Sequence, residues 1–286
     1  MAGKNERQRR QARERHRRQQ EQRVLRQQRV RRRWAIGTLA VLVAAGVGTL
    51  LLVFLPGGSA KKTSASASKS PSATPSATTV AEPAHHCSYA SATPVAKKVS
   101  FPPATPDYTN SYQATLNTNQ GKITFNLLNN KATCTVNSFV HLAQAGYFDN
   151  TQCHRLLTSG IYVLQCGDPY ATGATKLNCS ATSKIGTGTP GYDFASENLT
   201  GAKYPAGTVA MANEGSATTN GSQFFIVFKD STSGLTASYT PFATVSSGLG
   251  IVQNVAKDGY SCQYAQSGGG APKKKVIIDS VTIKKT

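Results

Sequence analysis

The amino-acid sequence predicts a mainly β, antiparallel domain carrying two helices, set behind a single membrane-spanning segment. Three observations predict it. Beyond residue 111, about seven or eight short runs alternate apolar and polar side chains, and none stands in strand–helix–strand order. Only two segments there hold apolar residues at helical spacing. Far upstream, residues 34–56 contain no charge at all. Many short strands without parallel crossovers argue for a barrel or a sandwich, and closing a barrel would remove unpaired edges.

The elements follow in order. Residues 1–33 hold 14 Lys/Arg against three Glu, so this tail supplies +11 of the chain's net +19. The strongly basic balance therefore belongs to the tail and not to the domain. The tail has no interleaved aromatic residues to stack on bases, so no specific nucleic acid is expected, although charge alone attracts phosphate. Its default partner is the anionic lipid headgroup. Next, residues 34–56 read "WAIGTLAVLVAAGVGTLLLVFLP", long enough at 1.5 Å per residue to cross a bilayer core. Arg31, Arg32 and Arg33 abut one end and Trp34 suits the interface, which predicts a cytoplasmic N-terminus and a domain outside the membrane. A cleaved signal peptide is the competing interpretation, but both the apolar run and the basic region are long for one. Residues 57–111 form a linker and irregular lead-in. Their first half is Ser/Ala/Thr/Pro-rich and cannot bury enough surface to offset its ordering entropy.

The domain proper covers 112–286. "YQATLNT", the turn "NQG" and "KITFNLL" predict a hairpin. In "CTVNSFVHLAQAGYF", Val136, Phe139, Val140, Leu142 and Ala143 fall at helical spacing, with Thr133 or Thr135 as candidate cap and Gly146 near the stop. Short strands follow at "TQCHRLL", "IYVLQCG", "GTVAMAN", "SQFFIVF" and "TPFATV". A second helix is predicted at "GLGIVQNVAKD" and a last strand at "KVIIDSVTIKK". The Gly/Thr/Ser-rich excursion from Asp168 to Pro190 reads as a surface loop.

Several familiar kinds of chemistry have no support in the sequence. His85-His86-Cys87 ends a linker and has no second cluster at metal-ligand spacing, so no metal site is predicted. Cys153 and His154 are strand neighbours facing opposite ways, which excludes a thiolate–imidazole pair. Ser159 and Ser222 lack a nucleophile elbow, and the acids show no paired spacing. What stands out are polar groups inside apolar runs. Arg155 lies in a buried-looking strand, and a buried cation requires a partner or a substrate. Gln165 and Gln223 interrupt apolar runs in the same manner, and Asn213 follows "GTVAMA". One cation, two amides, backbone donors near Asn213 and several aromatics suit a groove for an uncharged extended peptide. In "SQFFIVF", alternation sends Gln223 and Phe225 to one face and Phe224 and Ile226 to the other.

These segments carry a resemblance. From about Tyr112 to Lys285 the chain resembles the cyclophilin-type peptidyl-prolyl cis-trans isomerases. The "HR", "Q-C-G-D", "MANEGSATTNGSQFFI" and "PFATV" segments come in family order, and "NSF" and "GYF" also fit. The resemblance implies a closed eight-stranded antiparallel β-barrel capped by two helices, and an enzyme without cofactor. It implies a catalytic role for Arg155, with Gln165 and Asn213 beside it. It implies substrate contacts from Ala212 and Gln223, and an apolar proline pocket from Tyr162, Val163, Phe225 and Leu235. Tyr239 occupies the place where many members have His, and Gly234 the place where many have Trp. The expected partners are proline-containing polypeptides exported through or displayed on the cell membrane, met by a monomeric domain. The rival expectation is a non-catalytic peptide-binding or chaperone module on the same fold.

All six cysteines, Cys87, Cys134, Cys153, Cys166, Cys179 and Cys262, lie beyond the apolar segment, where an oxidising compartment would pair them. Six cysteines allow 15 complete pairings, among which sequence alone does not choose. Placement along the chain favours Cys134–Cys153, Cys166–Cys179 and Cys87–Cys262 as the expectation.

Overall fold

The computed structural model describes residues 86–180, 182–264 and 268–286. The basic tail, the apolar segment 34–56 and most of the linker lie outside the described residues. Among the described residues, no helix is long and apolar enough to cross a membrane.

Among the described residues there are eleven strands and two helices. The strands are β1 (Tyr89–Ser91), β2 (Tyr112–Thr118), β3 (Gly121–Leu127), β4 (Thr151–Gln152), β5 (Arg155–Ser159), β6 (Ile161–Cys166), β7 (Tyr192–Phe194), β8 (Thr208–Met211), β9 (Phe224–Val227), β10 (Pro241–Ser247) and β11 (Ile277–Lys285). The helices are α1 (Thr133–Gln144) and α2 (Leu249–Asp258). Nine strands form one sheet in the order β4-β11-β2-β3-β10-β8-β9-β6-β5, and β1 pairs with β7 separately. Every ladder is antiparallel.

The closed eight-stranded ring is corrected on two counts. The sheet has nine strands, and its edges β4 and β5 have no ladder between them. They are successive pieces of one segment, so they cannot lie side by side. Cys153 N–H donates to Val276 O at 2.9 Å, and the next amide, His154, donates to Gln165 O at 3.0 Å. The segment "TQCHRLL", expected as one strand, thus changes partner in a single step. The sheet curls far enough to bring its two edges to one place in the chain.

Alternation fills the inside of that curl. Leu116, Ile123, Phe125, Leu164, Phe224 and Ile226 are buried in one cluster with Phe139 and Leu142 of α1. Phe224 is its aromatic centre, with ring centroids 5.6 Å from Phe139, 5.7 Å from Phe148 and 6.4 Å from Phe125. Each such buried side chain stabilises the fold by roughly 1.5–3 kcal/mol.

The ends of α1 show how local and distant groups divide the work. At the C-terminus, Tyr147 N–H donates to Leu142 O and Gly146 N–H to Ala143 O, with Gly146 at φ 61°. That is a Schellman stop, and glycine supplies its left-handed residue without steric cost. At the N-terminus the expected threonine cap is corrected. Thr133 Oγ1 donates back to Asn129 O at 2.6 Å. The acceptor for the exposed amides is Glu197, whose carboxylate takes Cys134 N–H at 3.1 Å, Thr135 N–H at 2.7 Å and Thr135 Oγ1–H at 2.7 Å. A carboxylate also suits the positive end of the helix.

The disulfides are Cys87–Cys134, Cys153–Cys166 and Cys179–Cys262. All three expected pairings are corrected. Cys153, two residues before Arg155, is bonded to Cys166, the residue after Arg155's ladder partner Gln165. Cys87 is spent on α1, which together with β1 ties the lead-in to the domain. The excursion 168–190 is therefore stapled to Cys262 and not to its own start.

Candidate active site

Register builds the site. β5 pairs Arg155 with Gln165 on β6, β9 pairs Phe225 with Gln165, and β8 pairs Ala210 with Phe225. Arg155, Gln165, Phe225 and Ala210 thus form one row across four strands. The neighbouring positions Phe224 and Leu164 face the interior core, which leaves this row for the outer face. A second apolar cluster forms there from Leu157, Val163, Tyr204, Ala210, Phe225 and Val227, with Leu235 and Tyr239 packed against it.

A polar chain runs along the same face. Arg155 Nη1–H donates to Gln165 Oε1 at 3.0 Å, and Gln165 Nε2–H to Gln223 Oε1 at 3.0 Å. Gln223 Nε2–H then donates to the carbonyls of Gly186 and Gly188, each at 3.1 Å. At the other end, Arg155 Nε–H donates to Gly268 O at 3.0 Å. Each amide is oriented by a donor on one side and an acceptor on the other. The guanidinium is held in one plane by bonds to a side chain and to the backbone. Burial lowers the Arg155 pKa from its ordinary value, but a guanidinium remains cationic at neutral pH.

Beside the chain lies a cavity of about 130 Å³ lined by Arg155, Gln165, Val163, Phe225, Leu235 and Tyr239, among others. The Phe225 and Tyr239 rings, which both line it, meet edge to face at 5.5 Å. Ala212 and Asn213 also line it. The Ala212 amide is engaged with Gln223 O at 2.9 Å. The Asn213 side chain is held by Ser238 O at 2.8 Å and by Gly215 N–H at 3.0 Å, which fixes the backbone at that position.

Tyr162 is a correction. It does not line the cavity, and its ring packs against Phe228 at 6.0 Å on the interior side, with Lys229 Nζ 4.5 Å over it. Parity explains this. Gln165 and Val163 face the groove, so the third residue on that face is Ile161, which does line the cavity. Sequence reasoning missed Ile161, although counting back by twos from Gln165 finds it. Gly234 is accounted for as well. A Cβ there would lie 2.5 Å from Gly160 O and 2.6 Å from Ile161 Cγ2, so the β5–β6 turn occupies the space of any side chain.

Two buried ionisable groups stand behind the site. Asp168 is fully buried and accepts from the amides of Gly186 and of Tyr170, the latter at 2.9 Å. Burial raises its pKa against the lowering effect of those bonds. It holds the loop whose carbonyls receive Gln223. His154 is buried, and neither ring nitrogen meets a protein partner among the described residues. Burial first, and the Arg155 charge second, push its pKa down to about 3. Among the described residues no group of three or more His, Cys, Asp or Glu is placed to hold a metal ion.

An apolar slot, one fixed cation and a row of oriented amides thus share the outer face of a curled antiparallel sheet. The family model for cyclophilin type peptidyl-prolyl cis-trans isomerases matches residues 113–283, and the chain belongs to that family. It is 42% identical over 206 residues to a probable peptidyl-prolyl cis-trans isomerase B of Mycobacterium leprae, covering 66% of this chain and 61% of that protein. It is 44% identical over 182 residues to the protein of the same name from Mycobacterium tuberculosis, covering 58% of this chain and 52% of that one. The chain thus spans between half and two thirds of the length of these relatives. A solved cyclophilin type peptidyl-prolyl cis-trans isomerase of Cryptosporidium parvum is 26% identical, with a TM-score of 0.48 over 62% of this chain and 99% of that one.

Proposed function

We propose that this chain catalyses cis–trans isomerisation of X–Pro peptide bonds in polypeptides outside the cell membrane, to which residues 34–56 tether it. The observation that carries the activity is the juxtaposition of Arg155 with the apolar cavity of Val163, Phe225 and Leu235. An X–Pro bond turns slowly because its C–N bond is partly double. No bond breaks, so no nucleophile is needed. When the amide twists, the proline nitrogen regains a lone pair. The Arg155 guanidinium donates a hydrogen bond to that nitrogen. This interaction exists in the transition state and not in the planar ground state, as rate acceleration demands. The cavity holds the proline ring, while Gln165, Gln223 and the backbone at Asn213 hold the flanking peptide as the carbonyl swings.

The membrane assignment rests on the charge-free run and on Arg31, Arg32 and Arg33 before it. In that arrangement a monomeric domain faces newly exported chains, whose folding slow proline isomerisation limits. The basic tail contacts anionic headgroups on the cytoplasmic side. A protease-coupled assay on a proline tetrapeptide with the full chain in detergent tests the activity. Acceleration abolished by Arg155→Ala is the expected result. Peptide binding without acceleration would instead establish the non-catalytic module. Protease added outside intact cells should digest the domain and spare the tail, and the reverse would overturn the orientation.

A further inference from the structure

We propose that the Cys179–Cys262 disulfide is a positioning element of the isomerase site, holding together the two loops that orient Arg155 and Gln223. The polar chain ends at each side on backbone carbonyls, and the two ends belong to different loops. Gly268, which accepts from Arg155 Nε, lies on the loop between α2 and β11. Gly186 and Gly188, which accept from Gln223, lie on the excursion between β6 and β7. None of these three carbonyls belongs to a strand or a helix, so no ladder between strands fixes them. The disulfide joins these two loops across a sequence separation of 83.

The connection from Cys262 to Arg155 is short. A Cβ on Gly270 would lie 1.5 Å from Cys262 O, so the backbones of these two residues touch. Gly270 in turn exchanges both amide bonds with Leu156, the residue after Arg155, at 2.8 and 3.0 Å. Tyr264 Oη–H reaches His154 O at 3.1 Å, just before Arg155. On the other side, Asp168 anchors Gly186 from within, and the disulfide restrains the excursion from outside. Cys179 and Cys262 are both half-buried, whereas Cys153 and Cys166 are buried. A dithiol therefore reaches the Cys179–Cys262 bond before the Cys153–Cys166 bond. It delivers two electrons and two protons, leaves two cysteine thiols and itself becomes a cyclic disulfide.

The inference rests on the proposed isomerase activity, and its test separates the two. The full chain is compared with its Cys179→Ala/Cys262→Ala variant and with wild type opened by dithiothreitol, the opened bond being identified by mass mapping. The expected result is a fall in kcat of roughly tenfold with KM nearly unchanged, because a misplaced group loses transition-state contact before it loses binding. In a Gln223→Ala background the same loss should shrink, since one of the two ends is already released. Equal loss in both backgrounds, or none in either, would overturn the proposal. A measurement independent of catalysis is solvent exchange of the Arg155 Nε proton followed by nitrogen-15 NMR. Exchange should quicken on opening the bond, and an unchanged rate rejects the clamp even if the enzyme proves inactive. If instead the oxidised chain shows no isomerisation but exchange quickens, the clamp stands and the activity assignment falls.

Discussion

Arg155 is set in place by a side chain on one flank and a backbone carbonyl on the other, with burial strengthening both contacts. Removing it deletes the one donor assigned to the twisted nitrogen. Arg155→Ala should lower kcat/KM by about 10²–10³-fold, the typical cost of a lost transition-state donor, with the circular dichroism spectrum unchanged. Phe225→Ala should act differently. The ring is 5% exposed and forms the cavity wall, so its loss removes apolar contact present in ground and transition states alike. KM should rise by roughly tenfold or more while kcat moves less. His154 predicts a pH effect on stability. Its folded pKa of about 3 lies below the ordinary 6.5, so between these values the unfolded chain binds a proton that the folded chain excludes. Stability is full above pH 6.5 and falls as pH drops through that window, by at most about 1.4 kcal/mol per pH unit. Asp168 runs the other way just above its ordinary 3.8, because burial raises its pKa. Comparing urea midpoints of wild type and His154→Phe at pH 7 and pH 5 isolates the histidine. The variant should lose less stability, and parallel losses would refute the assignment.

At the scale of elements, α1 depends on a carboxylate far from it in sequence. Glu197 satisfies two end amides and a hydroxyl at once. Glu197→Ala should therefore destabilise the domain by about 1–3 kcal/mol, more than an ordinary exposed cap, measurable by thermal unfolding. The threonines expected to cap the helix stand at its first turn, but one bonds back to Asn129 and the other gives its proton to Glu197. Composition near a helix start shows that a cap is needed, and does not show which distant acceptor arrives. The C-terminal stop was legible because Gly146 and its two bonds are all local. The β5–β6 hairpin shows the same division. Its alternation is readable: counting by twos from Gln165 puts Val163 and Ile161 on the groove face and Tyr162 on the other, whereas family position alone points to Tyr162.

Across the whole molecule, the lead-in is bound to the domain by Cys87–Cys134 and by the β1–β7 ladder. Cys87→Ser/Cys134→Ser should cost up to about 4 kcal/mol, the chain-entropy value for a separation of 47 residues. Denaturant titration of the oxidised forms measures it, and an unchanged midpoint would mean that the ladder alone holds the lead-in. The sheet's curl is likewise a property of the whole. It depends on β4 and β5 taking opposite edges, and the boundary between them falls inside what reads as one strand.

What the sequence determined by itself is whatever depends on neighbours along the chain. Alternation separates Phe224 from Phe225, glycine ends α1, the Asn119-Gln120 turn sets the first hairpin, and the order of motifs marks the groove. These follow from dihedral preferences and side-chain parity, which act over a few residues. Only the tertiary structure decided which cysteines meet, which acid caps α1, and which carbonyls orient Arg155 and Gln223. Each of those depends on distances between segments far apart in sequence. Many pairings are compatible with the same local preferences, and packing the shared core selects one of them.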